Sequence, residues 1–287
     1  MISGASLIQS IFNGLTLSAI YIMVSLGLTL ILSIMNIVQM AHGEVYMIGS
    51  YLVFYIFSIL GVNFYVSLVV SILLVGAFGI FMERFLFRRY SGDPERAMII
   101  SVGLMLVLQN IVIFIAGGDA RAYNSPLTSV VNLFDAAISW ERFVVVIVGI
   151  VLVAALFLFV KFTKQGQAML AISQEREGAA LQGININRIS SLAMFLGSAL
   201  AAVAGGLVGG LFSLLPTMGS FALMKGIAVI VLGGLGSIPG VIVGSLILGL
   251  VDGIVPMFSS TYIAGLIGYG AIILVLYFRP KGIWGHD

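Results

Sequence analysis

Between residues 1 and 82 the chain carries one carboxylate, Glu44, and no lysine or arginine. A stretch of that length without charge cannot build a water-facing surface, because a soluble domain keeps about a quarter of its residues charged. Over all 287 residues 61% are hydrophobic and 8% are charged. The class is therefore a polytopic membrane protein. Spanning helices need roughly 20 mostly apolar residues, and backbone polar groups in lipid must be satisfied within the protein. The chain predicts an all-α helical bundle of about eight or nine spans, organised as a single membrane domain over residues 1–287.

The apolar runs are Leu7 to Met35, Val45 to Leu60, Phe64 to Met82, Ala97 to Ala116, Phe143 to Val160, Ile189 to Leu214 and Thr261 to Phe278. The first has no basic segment before it and outlasts a signal peptide, so a retained span is expected. The region from Phe221 to Val255 is rich in glycine and cut by Pro239. It reads as two elements hinged near Ser237 to Gly240, either two short spans or a re-entrant pair of the kind tolerated where protein surrounds it.

Charge sets the expected orientation. Arg84, Arg88, Arg89, Arg96, Lys161, Lys164, Arg176, Arg188, Arg279 and Lys281 fall in connections on one side of this topology. Arg121 and Arg142 fall on the other, in or beside a longer connection that also holds Asp119, Asp135 and Glu141, and Lys225 lies near a boundary. Basic connections stay in the cytoplasm, which predicts an outside N-terminus and a cytoplasmic C-terminus. The polar segment from Lys161 to Arg188 is then cytoplasmic. Its part from Ser173 to Gln182 has helix-compatible composition and stops at Gly183, which predicts a short helix under the membrane, presented to a partner.

Enzyme chemistry finds no constellation here. There is no phosphate-binding glycine loop with its lysine and hydroxyl, and no nucleophile elbow. His42 and His286 are the two histidines and there is no cysteine, so histidine and thiolate metal sites are excluded. A net charge of +2 gives no reason to expect nucleic acid. Transport remains, yet proton- or sodium-coupled carriers keep ionisable groups at mid-membrane. Here Glu44 and Asp252 are the acids within apolar stretches. The plainer role for Glu44 is a helix-start carboxylate facing free backbone N–H groups. So little buried charge argues for energy supplied by another subunit.

Four stretches carry a resemblance. They are Asn36 to Tyr51, which holds His42-Gly43-Glu44, then Ser101-Val102-Gly103-Leu104 through Gln109-Asn110, then Arg176 to Asn185, and Val231 to Gly240. The tail Phe278-Arg279-Pro280-Lys281-Gly282 agrees as well. In order and spacing they resemble the branched-chain amino acid ABC-importer permeases, in the shorter of the two types that pair. The resemblance implies a multi-pass inner-membrane subunit that binds no cofactor itself, with ATP and magnesium used by cytoplasmic ATP-binding subunits. It also implies a second permease subunit and an extracytoplasmic solute-binding protein as partners.

By the same resemblance Glu177, Ala179, Ala180 and Gly183 belong to the element that couples to the ATPase. Candidate pathway or gating positions are Asn36, His42, Glu44, Gln109, Asn110, Gly233, Gly234 and Gly236. Gln109 and Asn110 are expected to face a bundle interior or wet cavity. Related permeases for urea, short amides or other small polar solutes share this architecture, and a self-sufficient carrier is the reading from another class.

Overall fold

A computed structural model describes residues 4–123, 125–127, 129–133 and 136–284. Asp135 and His286, noted above, lie outside the described residues.

The first helix is apolar on every side and the other helices close around it, as expected of a helix hydrophobic all round. This is α1 (Gly4–Met35), packed along α10 (Ile238–Phe258), α8 (Ile186–Val208), α5 (Trp140–Phe162) and α9 (Met218–Gly233). In chain order α1 is followed by α2 (His42–Val53), continued by a wider π-type turn over Phe54–Ile59, then α3 (Phe64–Met82) and α4 (Pro94–Ala116). A two-stranded antiparallel hairpin, β1 (Val130–Leu133) and β2 (Ala136–Ser139), precedes α5, with Val130 opposite Ser139. Two short helices, α6 (Lys164–Gln174) and α7 (Arg176–Leu181), join α5 to α8, and α11 (Thr261–Phe278) closes the chain.

Helix starts are written locally. The side chains of Asn63, Asp93, Thr163, Asn185, Ser237 and Ser260 each accept a bond from a backbone N–H two or three residues on, opening α3, α4, α6, α8, α10 and α11. Such caps satisfy donors that a helix start leaves free. At the far end of α9 the tail does the same work for carbonyls: Ile283 N–H donates to Leu232 O at 3.0 Å and Trp284 N–H to Gly233 O at 2.9 Å.

The contacts define two ends. At one end the start of α1 meets the hairpin and α5, with Gln9, Asn13, Val130, Ile138 and Arg142 around a 190 Å³ cavity. There Arg121 pairs with Leu214 through two backbone bonds of 2.9 and 2.7 Å, and Tyr123 Oη donates to Gly206 O. At the other end the close of α3, the elbow of α6 and α7 and the start of α8 come together.

Close approach of backbones holds the centre. Gly249 of α10 lies against Ser18 of α1, where a Cβ would overlap the Ser18 backbone. In lipid this kind of packing replaces the hydrophobic drive available in water.

Three expectations need correction. Seven helices among the described residues are long and apolar enough to cross a membrane, namely α1, α3 with its extension to Tyr90, α4, α5, α8, α10 and α11. The expected count of eight or nine is not confirmed, since α9 has 16 residues and α2 has 12. The run from Ile189 to Leu214 stops being helical after Val208, where Gly209 and Gly210 pack against Tyr123 and Glu141. Lys225 is no boundary residue; it is buried in α9.

Replacing Gly249 by alanine is expected to destabilise the fold by about 1–3 kcal/mol through overpacking. Gly103→Ala, in open space on α4, should be neutral or stabilising by up to ~1 kcal/mol. Thermal unfolding of the two variants in the same detergent checks the contrast.

Candidate functional site

The centre of the site is an interruption of the helix ladder. Asn36 closes α1 in the left-handed conformation (φ 54°), the one non-glycine residue there among the described residues. Asparagine is among the few residues that tolerate it. The backbone from Ile37 to Ala41 is not helical and turns back into the bundle. Helix α2 then begins at His42, whose Nε2 lies 3.1 Å from Val24 O. Val24 is eleven residues before the end of α1, so α2 starts ~16 Å deep along that helix.

The interruption is kept by its neighbours. Met40 N–H donates to Ser101 Oγ at 3.0 Å, and Ser101 Oγ lies 3.4 Å from Val38 O. Gln39 is fully buried beside Met82. Gly43 meets Gly219 of α9 so closely that a Cβ on either would collide with the other's backbone. Only glycine fits both positions.

Glu44 follows in the first turn of α2. It is 0% exposed, neither carboxylate oxygen has a hydrogen-bond partner, and it faces Gly219 and the Ser220 side chain. His42 Nδ1 is likewise buried without a partner. The positive end of the α2 dipole favours a carboxylate here, which fits the helix-start role. Beyond that, the Ser220 side chain is the polar group placed beside Glu44.

One and a half turns further along α9 stands a second polar cluster. Lys225 Nζ pairs with Asp252 Oδ2 of α10 at 2.6 Å, and Tyr21 Oη of α1 donates to the same oxygen at 2.7 Å. The rings of Tyr21, Phe221 and Tyr269 lie 5.4–5.8 Å from the ammonium. In the sequence Asp252 and Lys225 stand in separate apolar stretches, and Tyr21 carries no charge to mark it. The available signal was that two opposite charges inside apolar helices must find each other.

The other candidates lie apart. Gly233 packs on Gly240, while Gly234 (φ 106°) and Gly236 (φ 81°) form the α9–α10 turn. Gln109 is half-buried on α4, and Asn110 is exposed, its amide donating back to Leu106 O at 2.8 Å. The expected inward position for Asn110 is therefore not what the structure has.

At the basic end the expected single helix from Ser173 to Gln182 is two helices. Glu175 is extended (φ −153°) and its carboxylate accepts from Glu177 N–H, so it ends α6 and caps α7. Ala179 is buried, whereas Glu177, Ala180 and Leu181 are exposed, Leu181 to 87%. Gly183 takes φ 82°, and bonds from Gly183 N–H to Ala180 O and from Ile184 N–H to Ala179 O end α7. Arg176 ties α7 to Ser91 at 2.6 Å.

Residues 10–276 match the family model described as the branched-chain amino acid transport system permease component. The high-affinity branched-chain amino acid transport permease LivH of Salmonella typhimurium is 34% identical over 97% of this chain and 96% of its own length. LivH of Escherichia coli K12 is 35% identical over the same shares. BraD of Pseudomonas aeruginosa is 32% identical, again over 97% and 96%. The chain belongs to the branched-chain amino acid transport permease family.

In this permease α9 carries both neighbours of interest: its first turn covers Glu44 and its middle holds the ion pair. Lys225→Met should destabilise by about 3–5 kcal/mol, because it leaves a buried carboxylate uncompensated. Removing both charges, K225M with D252L, is expected to restore most of that loss. A double-mutant cycle on thermal unfolding measures it.

Proposed function

We propose that this chain is the transmembrane permease subunit of an ABC importer that carries branched-chain amino acids across the cytoplasmic membrane. The observation that carries the reading is the match to LivH and BraD along nearly the full length of each chain. Partner ATP-binding subunits supply the energy, a second permease subunit completes the pathway, and an external binding protein delivers the solute. The chain itself hydrolyses nothing. The N-terminus is outside and the C-terminus cytoplasmic, which the gathering of Arg84, Arg88, Arg176 and Arg188 at the elbow end supports.

Residues 161–188 are the cytoplasmic coupling segment in this scheme. The exposed face of α7, with Glu177, Ala180 and Leu181, docks to the ATPase, and small side chains allow close approach. Movement there reaches the centre through Gly183 and the Asn185 cap into α8. That helix grips α2 by Ser50 Oγ donating to Gly205 O at 2.6 Å. Rigid-body tilting of packed helices then alternates access.

At the interruption, a displacement of α9 from Gly43 uncovers Glu44. A free carboxylate next to apolar helices suits a solute with an ammonium group and an aliphatic side chain. Glu44→Gln is then expected to lower uptake at least ~tenfold, the equivalent of one charged contact of about 1.4 kcal/mol, with ATP hydrolysis retained. Uptake equal to wild type would remove Glu44 from the pathway.

Gly183→Val strains a left-handed residue by about 1–2 kcal/mol and should separate ATP hydrolysis from uptake while insertion stays normal. Glu177→Ala should do the same through the docking face. Paired measurements of hydrolysis and solute uptake in proteoliposomes decide it. Unchanged uptake in both variants would count against α7 as the coupling element.

A further inference from the structure

Two cavities at the elbow end share Asn185, Arg188 and Ser191 and so form one recess between α3, α6 and α8, with volumes of about 510 and 380 Å³. Its mouth carries Arg84, Lys164 and Arg188, all exposed. Among the described residues none of the three forms an ion pair. The nearby acid is already committed: Glu83 receives Arg88 Nε at 2.9 Å and Nη2 at 2.5 Å, and Ser191 Oγ at 2.6 Å. The capped starts of α6 and α8 adjoin the same mouth through Lys164 and Asn185, adding partial positive charge.

The deeper wall is different. Ile80, Leu192 and Phe195 line it, and Phe195 packs on Gly76 of α3. From Arg188 to Phe195 the recess follows α8 for roughly 10 Å, away from the cationic mouth and towards the apolar middle of the bundle. Beside it Phe81 and Phe85 stand exposed on α3 and its extension, as expected of a lipid-facing surface.

We propose that this recess binds an anionic phospholipid, its phosphate held by Arg84, Arg188 and Lys164 and the start of an acyl chain laid against Ile80, Leu192 and Phe195. Basic pockets between membrane helices recognise such headgroups. An acidic protein segment would satisfy the cations and leave the apolar wall unused, so the lipid accounts for both halves. The inference goes beyond the transport reading and needs no assumption about solute or coupling; failure of either leaves the other standing.

The test uses the full chain in a neutral detergent, titrated with phosphatidylglycerol, phosphatidylcholine, soluble glycerol phosphate and an acidic peptide. Bound lipid is read by native mass spectrometry. Phosphatidylglycerol should be retained in preference to phosphatidylcholine, and rising salt should release it. The double variant R84Q/R188Q should lose on the order of thirtyfold in apparent affinity, about fivefold per cation, and R84K/R188K should keep most of it. Both sites are exposed, so the variants should fold, which gel filtration checks; if they do not, the salt and headgroup dependence of the wild type decides alone. Equal retention of the two lipids overturns the proposal, as does wild-type affinity in R84Q/R188Q. Binding of the glycerol phosphate or the acidic peptide as strong as that of phosphatidylglycerol overturns it too.

Discussion

Backbone N–H and C=O groups have no water to bond with inside a bilayer, and residues 37–41 break the helix ladder in the middle of this bundle. The break survives because protein encloses it: Ser101 Oγ accepts from Met40 N–H and donates to Val38 O, and Val24 O meets the His42 ring. Irregular backbone at membrane depth is tolerated where it is buried in protein. The placement of α3, α4, α8 and α9 around α1 and α2 follows from the need to cover those few residues. Glycines at 43 and 219 let the cover close to backbone contact.

That arrangement gives α9 an unusual position. It lies between Thr217 and the left-handed Gly234, is held along one side by Gly43 and Glu44, and is tied to α1 and α10 through the Lys225–Asp252–Tyr21 cluster. Its last carbonyls receive the chain's tail. A helix fastened at discrete polar and glycine contacts can exchange one set for another as a rigid body.

Much of this was legible in the residues. The bounds of α3 and α11 coincide with their apolar runs because charge, turns and capping residues delimit both. Membership in the permease family was readable from four short stretches taken together. What escaped depended on tertiary contact. His42-Gly43-Glu44 reads as a span boundary by hydropathy, yet packing against Val24 and Gly219 sets its depth. Ser173 to Gln182 has helix-compatible composition, loosened at Gly178, and the break at Glu175 comes from its turn to extended backbone and a side-chain cap. Lys225 and Asp252 are 27 residues apart on different helices; opposite charges in apolar helices hint at the pair, and the antiparallel packing of α9 on α10 makes it. Asn110 satisfies its amide on its own helix, which pattern alone does not show.

Coupling from the cytoplasm requires α7 to be a cytoplasmic docking element of a bundle whose N-terminus lies outside. The chain has no cysteine, so a single Leu181→Cys substitution at the tip of α7 gives one reactive thiol. A membrane-impermeant maleimide should label it in inside-out vesicles and leave it unlabelled in intact cells. Labelling from the outside of intact cells would contradict the orientation and, with it, the coupling of this permease from the cytoplasm.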